Sequence, residues 1–115
     1  MGFLFEKMRA YQKSMTFAEE ILHLMERSPY KCPIISDQLR RAAMSIPSNL
    51  AEGLGRWHKG DRKQFFWIAR GSTNECIVHL QFALNRGMIR GEDYSQLKRD
   101  LDLIGKMITA LIATQ

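Results

Sequence analysis

Apolar residues recur every three or four positions along four stretches of the chain, the spacing that keeps one face of an α-helix apolar. In the first stretch, residues 5–27, the stripe is Met8, Tyr11, Met15, Ala18, Leu22 and Met25, widened by Phe17, Ile21 and Leu24. In the last, which starts near Glu92 and Asp93, it is Leu97, Leu101, Ile104, Ile108 and Leu111. No stretch alternates as a strand does, so the pattern predicts an all-α fold.

The second stretch contains a proline where a helix disfavours one. Its predicted start is Ser36 as N-cap, with Asp37 in the first turn, and Pro47 lies inside it. Proline removes the hydrogen bond to the carbonyl of Ala43, which costs about 3 kcal/mol unless the helix bends. Because the apolar spacing continues in phase across Pro47, we favour one kinked helix. The alternative is a break with a new helix starting around residues 45–47.

The third stretch is apolar on more than one side. It runs from a predicted cap at Asp61 to about Asn85, before Gly87. One stripe is Phe65, Ile68, Ser72, Cys76, His79 and Ala83, a second is Phe66, Thr73, Ile77, Leu80 and Leu84, and Trp67, Gly71 and Val78 lie on a third side. A helix of this kind must be covered on several sides, which in a domain of 115 residues favours a second subunit as the cover.

Short connections between four helices predict an antiparallel up-down-up-down bundle with a proline-kinked second helix, forming one domain over residues 1–115. No apolar run is long enough to cross a bilayer. Charged residues at Glu6, Lys7 and Arg9 interrupt the N-terminal apolar residues and argue against a signal peptide. We therefore expect a soluble, cytoplasmic protein. Cys76 is expected in the core and Cys32 in a loop, since two distant cysteines make neither a disulfide framework nor a C-x-x-C motif.

The net charge of +5 comes entirely from the middle of the chain. Residues 40–90 carry nine basic and three acidic side chains, whereas the flanking segments nearly balance. A concentrated positive field favours a polyanionic partner. The predicted nucleic-acid-binding residues are Arg56, Trp57, His58, Lys59, Arg62 and Lys63, with the cations on phosphates and the indole on a base. The alternative is a solvated turn whose Trp57 packs back on the core.

Several polar residues fall near the apolar faces of the second and third helices. They are Asn49, Glu52, Ser72 and Glu75. A buried carboxylate needs a partner, for which Arg41 or Arg70 is available. We interpret Asn49, Glu52, Arg70, Ser72 and Glu75 as a structural polar layer that fixes helix register or a subunit contact.

Cofactor, metal and catalytic chemistry are not expected. The three histidines, His23, His58 and His79, lie on different segments without metal-ligand spacing. The glycines around residues 53–60 follow a helix rather than a strand and lack a G-K-[ST] sequence, so they do not predict a phosphate loop. A nuclease would draw on His58 with Arg56, Lys59 and Arg62, which supply the side-chain types. Small all-helical ribonucleases of the HEPN class, however, use an Arg four to six residues before a His on one helix, and this chain has no such pair.

Two runs of sequence resemble a known family. SIPSNLAEGLGR, residues 45–56, and QFFWIARGSTNE, residues 64–75, match the R-R-A-x-x-S-I-P-x-N-I-A-E-G-x-G-R and F-x-x-I-A-x-G-S-x-x-E patterns of the 23S rRNA intervening-sequence proteins, with Leu50 in place of the usual Ile. The resemblance implies a four-helix bundle that assembles as a ring-shaped homo-oligomer, a pentamer. It carries over no catalytic residues.

The function expected from these observations is a non-enzymatic, oligomeric bundle that binds RNA, or is associated with ribosomal RNA, through a basic surface. The alternative is an accessory protein of a diversity-generating retroelement, which the family resembles in fold, or a scaffold that binds a reverse transcriptase or another protein.

Overall fold

Four α-helices form the part of the chain that the computed structural model describes, residues 8–115. They are α1 (Arg9–Arg27), α2 (Pro33–Leu54), α3 (Lys59–Asn85) and α4 (Gly91–Ala113). Each helix packs against the next one in the chain, and α1 also packs against α4, which closes a bundle. The predicted all-α, four-helix fold is confirmed. Positions 5–7 of the predicted first helix, which include Glu6 and Lys7 of the signal-peptide argument, lie outside the described residues.

Contacts between α2 and α3 run in opposite directions along the two helices. Ser45 in α2 accepts a hydrogen bond of 2.8 Å from Ser72 in α3. Gly53, two turns later in α2, lies against Phe66, which comes earlier in α3. The two helices are therefore antiparallel, as a connection of only four residues between them requires. Side-chain contacts between α3 and the α4 segment show the same reversal.

The buried face of α1 is rotated by about one position from the predicted stripe. Ser14 is fully buried, whereas Met15, placed in the stripe by its hydrophobicity, is 38% exposed. The Ser14 hydroxyl donates a 2.8 Å hydrogen bond to the carbonyl of Tyr11, so its burial leaves no unpaired donor. Phe17, Ile21 and Met25 complete this face in the core.

The start of α2 differs from the prediction, but its continuity does not. The helix begins at Pro33 rather than after Ser36, because proline at the first helical position has no N–H to satisfy and already holds the helical φ. Ser36 is buried within the first turn. The helix continues without a break through the buried Pro47 to Leu54, so the favoured single helix is observed. The kink at Pro47 stays a prediction.

The predicted cap of α3 at Asp61 is also wrong, by three positions. The helix begins at Lys59 with His58 in the N-cap position, and Asp61 lies in the first turn, where its charge faces the positive end of the helix dipole. Its other end was predicted correctly, at Asn85, followed by Gly87 with a φ of 72°. Such a φ is accessible to glycine at little cost, which explains the reversal into α4.

The third helix buries one side and exposes another. Phe66, Cys76 and Leu80 are fully buried, which confirms Cys76 as a core residue. Trp67, Val78 and Phe82 are each more than half exposed. The bundle of one chain therefore leaves an apolar face of α3 uncovered. Across residues 8–115, no helix combines the length and the hydrophobicity needed to cross a membrane.

Candidate nucleic-acid interface

The connection between α2 and α3 is shaped by a close approach of the two helices. Gly53 is buried in the last turn of α2, and a Cβ atom added there would lie 2.7 Å from Cε1 of Phe66. Only glycine therefore lets α3 begin so close to the end of α2. Residues 55–58 then span the gap, and they are all exposed at one end of the bundle. We refer to residues 56–63 as the basic turn.

Trp57 projects from the basic turn into solvent. It is 89% exposed, the highest exposure of any large hydrophobic residue in the described part of the chain. The alternative in which the indole packs back on the core is therefore wrong. His58, Lys59 and Lys63 are also exposed. An exposed indole among cations is the arrangement found where proteins stack on nucleic-acid bases.

Arg62 is half-buried and holds the turn closed. Its Nη1 atom lies 3.1 Å from the carbonyl oxygen of Arg56 and 3.0 Å from that of Trp57. Its Nε atom donates to Oε1 of Gln115 at 2.8 Å. The guanidinium thus satisfies carbonyls just beyond the end of α2 and links them to the segment after α4. These bonds occupy Nε and Nη1 of the side chain that the sequence placed among the phosphate contacts.

Arg56 is also engaged within the chain. Its Nη2 atom forms an ion pair of 2.7 Å with Oε1 of Glu52, and its Cζ atom lies 4.8 Å from the ring centroid of Phe65. Both charged side chains remain about half exposed, so the pair contributes only about 0–1 kcal/mol to stability. Arg56 can therefore exchange this pair for a phosphate at small cost, whereas moving Arg62 would open the turn.

Lys59 and Lys63 are the lysines of the turn, and unlike Arg56 and Arg62 they make neither an ion pair nor a side-chain hydrogen bond within residues 8–115. They are four positions apart in α3, so they lie on one face of its first turns. The positive end of the α3 dipole adds to their field, and the N-cap residue His58 makes no side-chain capping bond.

The basic middle of the sequence does not form one surface. Arg86 and Arg90 are exposed at the opposite end of the bundle, between α3 and α4. Arg40 pairs with Asp37 at 3.3 Å, and Arg70 is held by side chains of α3 and α4. The basic turn is therefore the densest group of available cations in the described chain.

The polar layer between α2 and α3 is smaller than predicted. Asn49 donates from Nδ2 to the carbonyl and the hydroxyl of Ser45, at 2.8 and 2.9 Å, and Ser72 donates to the same hydroxyl. Every buried side-chain polar atom of the described residues has a partner. Glu52 and Glu75 are exposed, so the prediction of buried carboxylates is wrong. Ser45 was missed, although it lies one turn before Asn49 on the same face.

Arg70 joins a second polar group, between α3 and α4. Nη1 donates to Thr73 Oγ1 at 2.9 Å and to Asn74 Oδ1 at 3.1 Å, and Nε donates to Thr109 Oγ1 at 3.2 Å. A Cβ atom at Gly105 would lie 3.1 Å from the guanidinium carbon. Arg70 therefore packs on α4 and binds hydroxyl and amide oxygens, whereas it was predicted from the sequence as an available partner of a buried carboxylate.

Residues 8–115 bring together no group of three or more histidine, cysteine or acidic side chains that could hold a metal ion. Cys32, expected in a loop, is half-buried and occupies the N-cap position of α2.

Comparison with known proteins identifies the family. A family model described as 23S rRNA-intervening sequence protein matches residues 6–110. The chain belongs to this family. The fold is similar to the crystal structure of a protein with unknown function from the S23 ribosomal protein family of Bacteroides thetaiotaomicron VPI-5482. The TM-score is 0.83 at 24% sequence identity, over 90% of this chain and 97% of that chain, which shows a shared fold. The comparison with curated proteins gives no match.

In this member of the 23S rRNA-intervening sequence protein family, the two runs of sequence that carried the resemblance meet in space. Ser45 and Gly53 of the first run contact Ser72 and Phe66 of the second. One contact is a hydrogen bond and the other depends on the absence of a Cβ atom. The runs are thus explained by the packing of α2 on α3, which sets the position of the basic turn.

Proposed function

We propose that this chain is a non-enzymatic, cytoplasmic RNA-binding protein that works as a homo-oligomer, with the basic turn as its RNA-contacting surface. The observation that carries the proposal is the exposure of Lys59 and Lys63 beside the positive end of α3. The family description, which refers to 23S rRNA, supports RNA as the polyanion.

Phosphate contacts supply sequence-independent affinity, because each releases counterions from the nucleic acid. In this chain Lys59 and Lys63 are available without breaking an ion pair, and Arg56 becomes available when it leaves Glu52. Three such contacts per chain give weak binding. Joining several copies raises the overall affinity by orders of magnitude, since the later contacts become intramolecular.

The uncovered face of α3 supports assembly with further copies of the chain. Trp67, Val78 and Phe82 are 57, 53 and 51% exposed, and their spacing places them on one side of the helix. Lys59 and Lys63 continue the same side toward the N-terminus of α3. An interface on α3 would thus have the lysines at its edge, with the basic turns of neighbouring copies close together. The family resemblance implies that five copies of the chain form this assembly, as a ring.

The mass of the protein in solution, measured by light scattering, tests assembly. We expect an oligomer for the wild type and a smaller species for a variant with both Val78→Glu and Phe82→Glu. Leu103→Glu is the matched control, because Leu103 is an exposed leucine of α4. A wild-type monomer would contradict the proposed assembly and would favour a different protein as the cover of α3, as in the scaffold alternative.

RNA binding is tested by fluorescence anisotropy with a labelled 23S rRNA fragment at several salt concentrations. The double variant Lys59→Gln, Lys63→Gln should bind more weakly, and its salt dependence should be shallower by about 0.7 per lost contact on a single strand. Arg86→Gln with Arg90→Gln removes the same charge from the other end of the bundle and should have little effect. Equal losses in the two double variants would contradict a role for the basic turn.

The non-enzymatic part of the proposal has its own test. RNA incubated with purified protein should stay intact on a denaturing gel. Cleavage that disappears in His58→Ala would show instead that the turn is a nuclease site.

A further inference from the structure

Trp57 is the exposed aromatic residue of the basic turn, and phosphate binding does not explain its exposure. Lysines bind phosphates without help from an indole, and an exposed tryptophan in water is unfavourable for solubility. The indole is 89% exposed and belongs to a turn flanked by cations. A flat aromatic surface in such surroundings is suited to the face of a nucleobase.

The backbone that carries Trp57 is held by several independent bonds. Arg62 Nη1 bonds to the carbonyl of Trp57 itself at 3.0 Å, and the backbone N–H of Arg62 donates to the carbonyl of His58 at 3.1 Å. The N–H of Arg56 donates to the carbonyl of Gly53 at 3.1 Å. A platform whose backbone is already fixed loses little conformational entropy when a ligand stacks on it.

We infer that the indole of Trp57 stacks on an unpaired base, so that the basic turn binds single-stranded or looped RNA in preference to a duplex. This inference rests on the proposed RNA-binding function. In an A-form duplex the bases are stacked on each other and the major groove is too deep and narrow for side chains to reach them. In a duplex the indole of Trp57 therefore has no free base face on which to stack, whereas the lysines beside it can contact the phosphates of either form.

The experiment compares a labelled oligoadenylate with the same strand paired to oligouridylate, for the wild type and for Trp57→Ala and Trp57→Phe. We expect the wild type to prefer the single strand. Trp57→Ala should lower affinity for the single strand about tenfold or more and leave affinity for the duplex unchanged, since one stacked base is lost. Trp57→Phe should retain most of the preference. Thermal unfolding checks that each variant folds, which is expected because the side chain is exposed.

A spectroscopic measurement locates the contact. In a Trp67→Phe background, Trp57 is the only tryptophan, and its emission should be quenched by the single strand and not by the duplex. Equal quenching by both forms, or none by either, would overturn the inference.

The outcomes separate this inference from the function on which it rests. If Trp57→Ala binds the single strand as tightly as the wild type while Lys59→Gln with Lys63→Gln weakens binding, the stacking role is wrong and RNA binding stands. If Trp57→Ala changes only the mass in solution, the indole is covered by a second copy and the inference is overturned. If the wild type binds neither RNA, both proposals fail.

Discussion

The Nε atom of Arg62 donates a 2.8 Å hydrogen bond to Oε1 of Gln115, a residue 53 positions later in the chain. The same guanidinium binds the carbonyls of Arg56 and Trp57. One side chain therefore closes the turn between α2 and α3 and attaches it to the segment after α4. Because its Nε and Nη1 donors are occupied, we expect Arg62 to position the turn, while its contact with phosphate stays a prediction.

Arg62→Ala should lower the free energy of unfolding by about 1–2 kcal/mol, since carbonyls of the turn lose a charged donor in a half-exposed setting. Arg62→Lys should be destabilised by nearly as much as Arg62→Ala, because an ammonium lacks the fixed, forked donor geometry of the guanidinium. Denaturant unfolding of Arg62→Ala, Gln115→Ala and the double variant should give a coupling energy of about 0.5 kcal/mol or more. Additive effects would mean that the two side chains do not interact in solution.

The same variant separates a positioning role from a phosphate contact in RNA binding. Arg62→Ala should reduce affinity while leaving the dependence of log K on log salt unchanged, because no counterion-releasing contact is lost. The Lys59 and Lys63 double variant should make that dependence shallower. A shallower slope for Arg62→Ala would show that its guanidinium does contact phosphate.

Gly53→Ala should destabilise the bundle by about 1–3 kcal/mol, because the added methyl group overlaps the ring of Phe66 and approaches Cβ of Phe65 at 3.0 Å. Gly60→Ala is the matched control, since no atom lies within 4 Å of a Cβ there. This second variant should be neutral or more stable by up to about 1 kcal/mol. Thermal unfolding measures both, and equal stability of the two variants would contradict the close approach.

Asn49→Ala should cost about 1 kcal/mol, because Ser45 then loses the amide donor within the layer between α2 and α3. Ser48→Ala, one position earlier on the exposed side of α2, should stay within about 0.5 kcal/mol of the wild type. Glu52→Ala should be similarly mild because its ion pair is exposed. Chemical unfolding measures all three variants. A loss of unfolding free energy for Glu52→Ala as large as that for Asn49→Ala would show that the Glu52 carboxylate does have a structural role.

Cys76 should be inert in the folded protein. It is fully buried, and desolvation, followed by the negative charge of Glu75, raises the pKa of its thiol to about 12 from an ordinary value of 9.0. Cys32 is only half-buried. Reaction with a thiol reagent at mildly alkaline pH should therefore modify Cys32 first and Cys76 only after denaturant is added, because the thiolate is the nucleophile. Mass spectrometry identifies the modified residue, and early modification of Cys76 would contradict its burial.

The raised pKa of Cys76 also makes stability depend on pH in the alkaline range. Below pH 9 the thiol is protonated in both the folded and the unfolded chain, so it has no effect. As the pH rises from 9 toward 12, the unfolded chain loses the proton first and stability falls. The difference in unfolding free energy between wild type and Cys76→Ala should shrink over that window. A constant difference would show that the thiol titrates equally in both states.

The helices could be predicted from the sequence because their apolar spacing is local. The residues at which the helices begin were harder to predict. Ser36 and Asp61 are good caps by residue type, yet α2 begins at Pro33 and α3 at Lys59. Packing of Ile35 and Ser36 in the core extends α2 backwards past the residue that local chemistry favours. Propensity is outweighed wherever burial of the neighbouring turn contributes more free energy.

The position of the basic turn could be predicted, but the contacts that its residues make within the chain could not. Exposure of Trp57 depends on whether the turn folds back, which no local pattern encodes. Arg62 was placed among the phosphate contacts because it is a cation in a basic run, and its partner Gln115 is too distant in sequence for any periodicity to reveal. Glu52 was assigned to the interior from its spacing, yet its pair with Arg56 keeps it at the surface.

By itself, the sequence determined the number of helices, the continuity of α2 across Pro47 and the location of the basic turn. These properties follow from the period of the α-helix and from residues adjacent in the chain. Only the tertiary structure decided which cations of the turn are available, which polar residues share the layer around Ser45 and which face of α3 stays uncovered. Those outcomes depend on how antiparallel helices bring residues far apart in sequence within hydrogen-bonding or van der Waals distance, and that information exists only once the helices have packed.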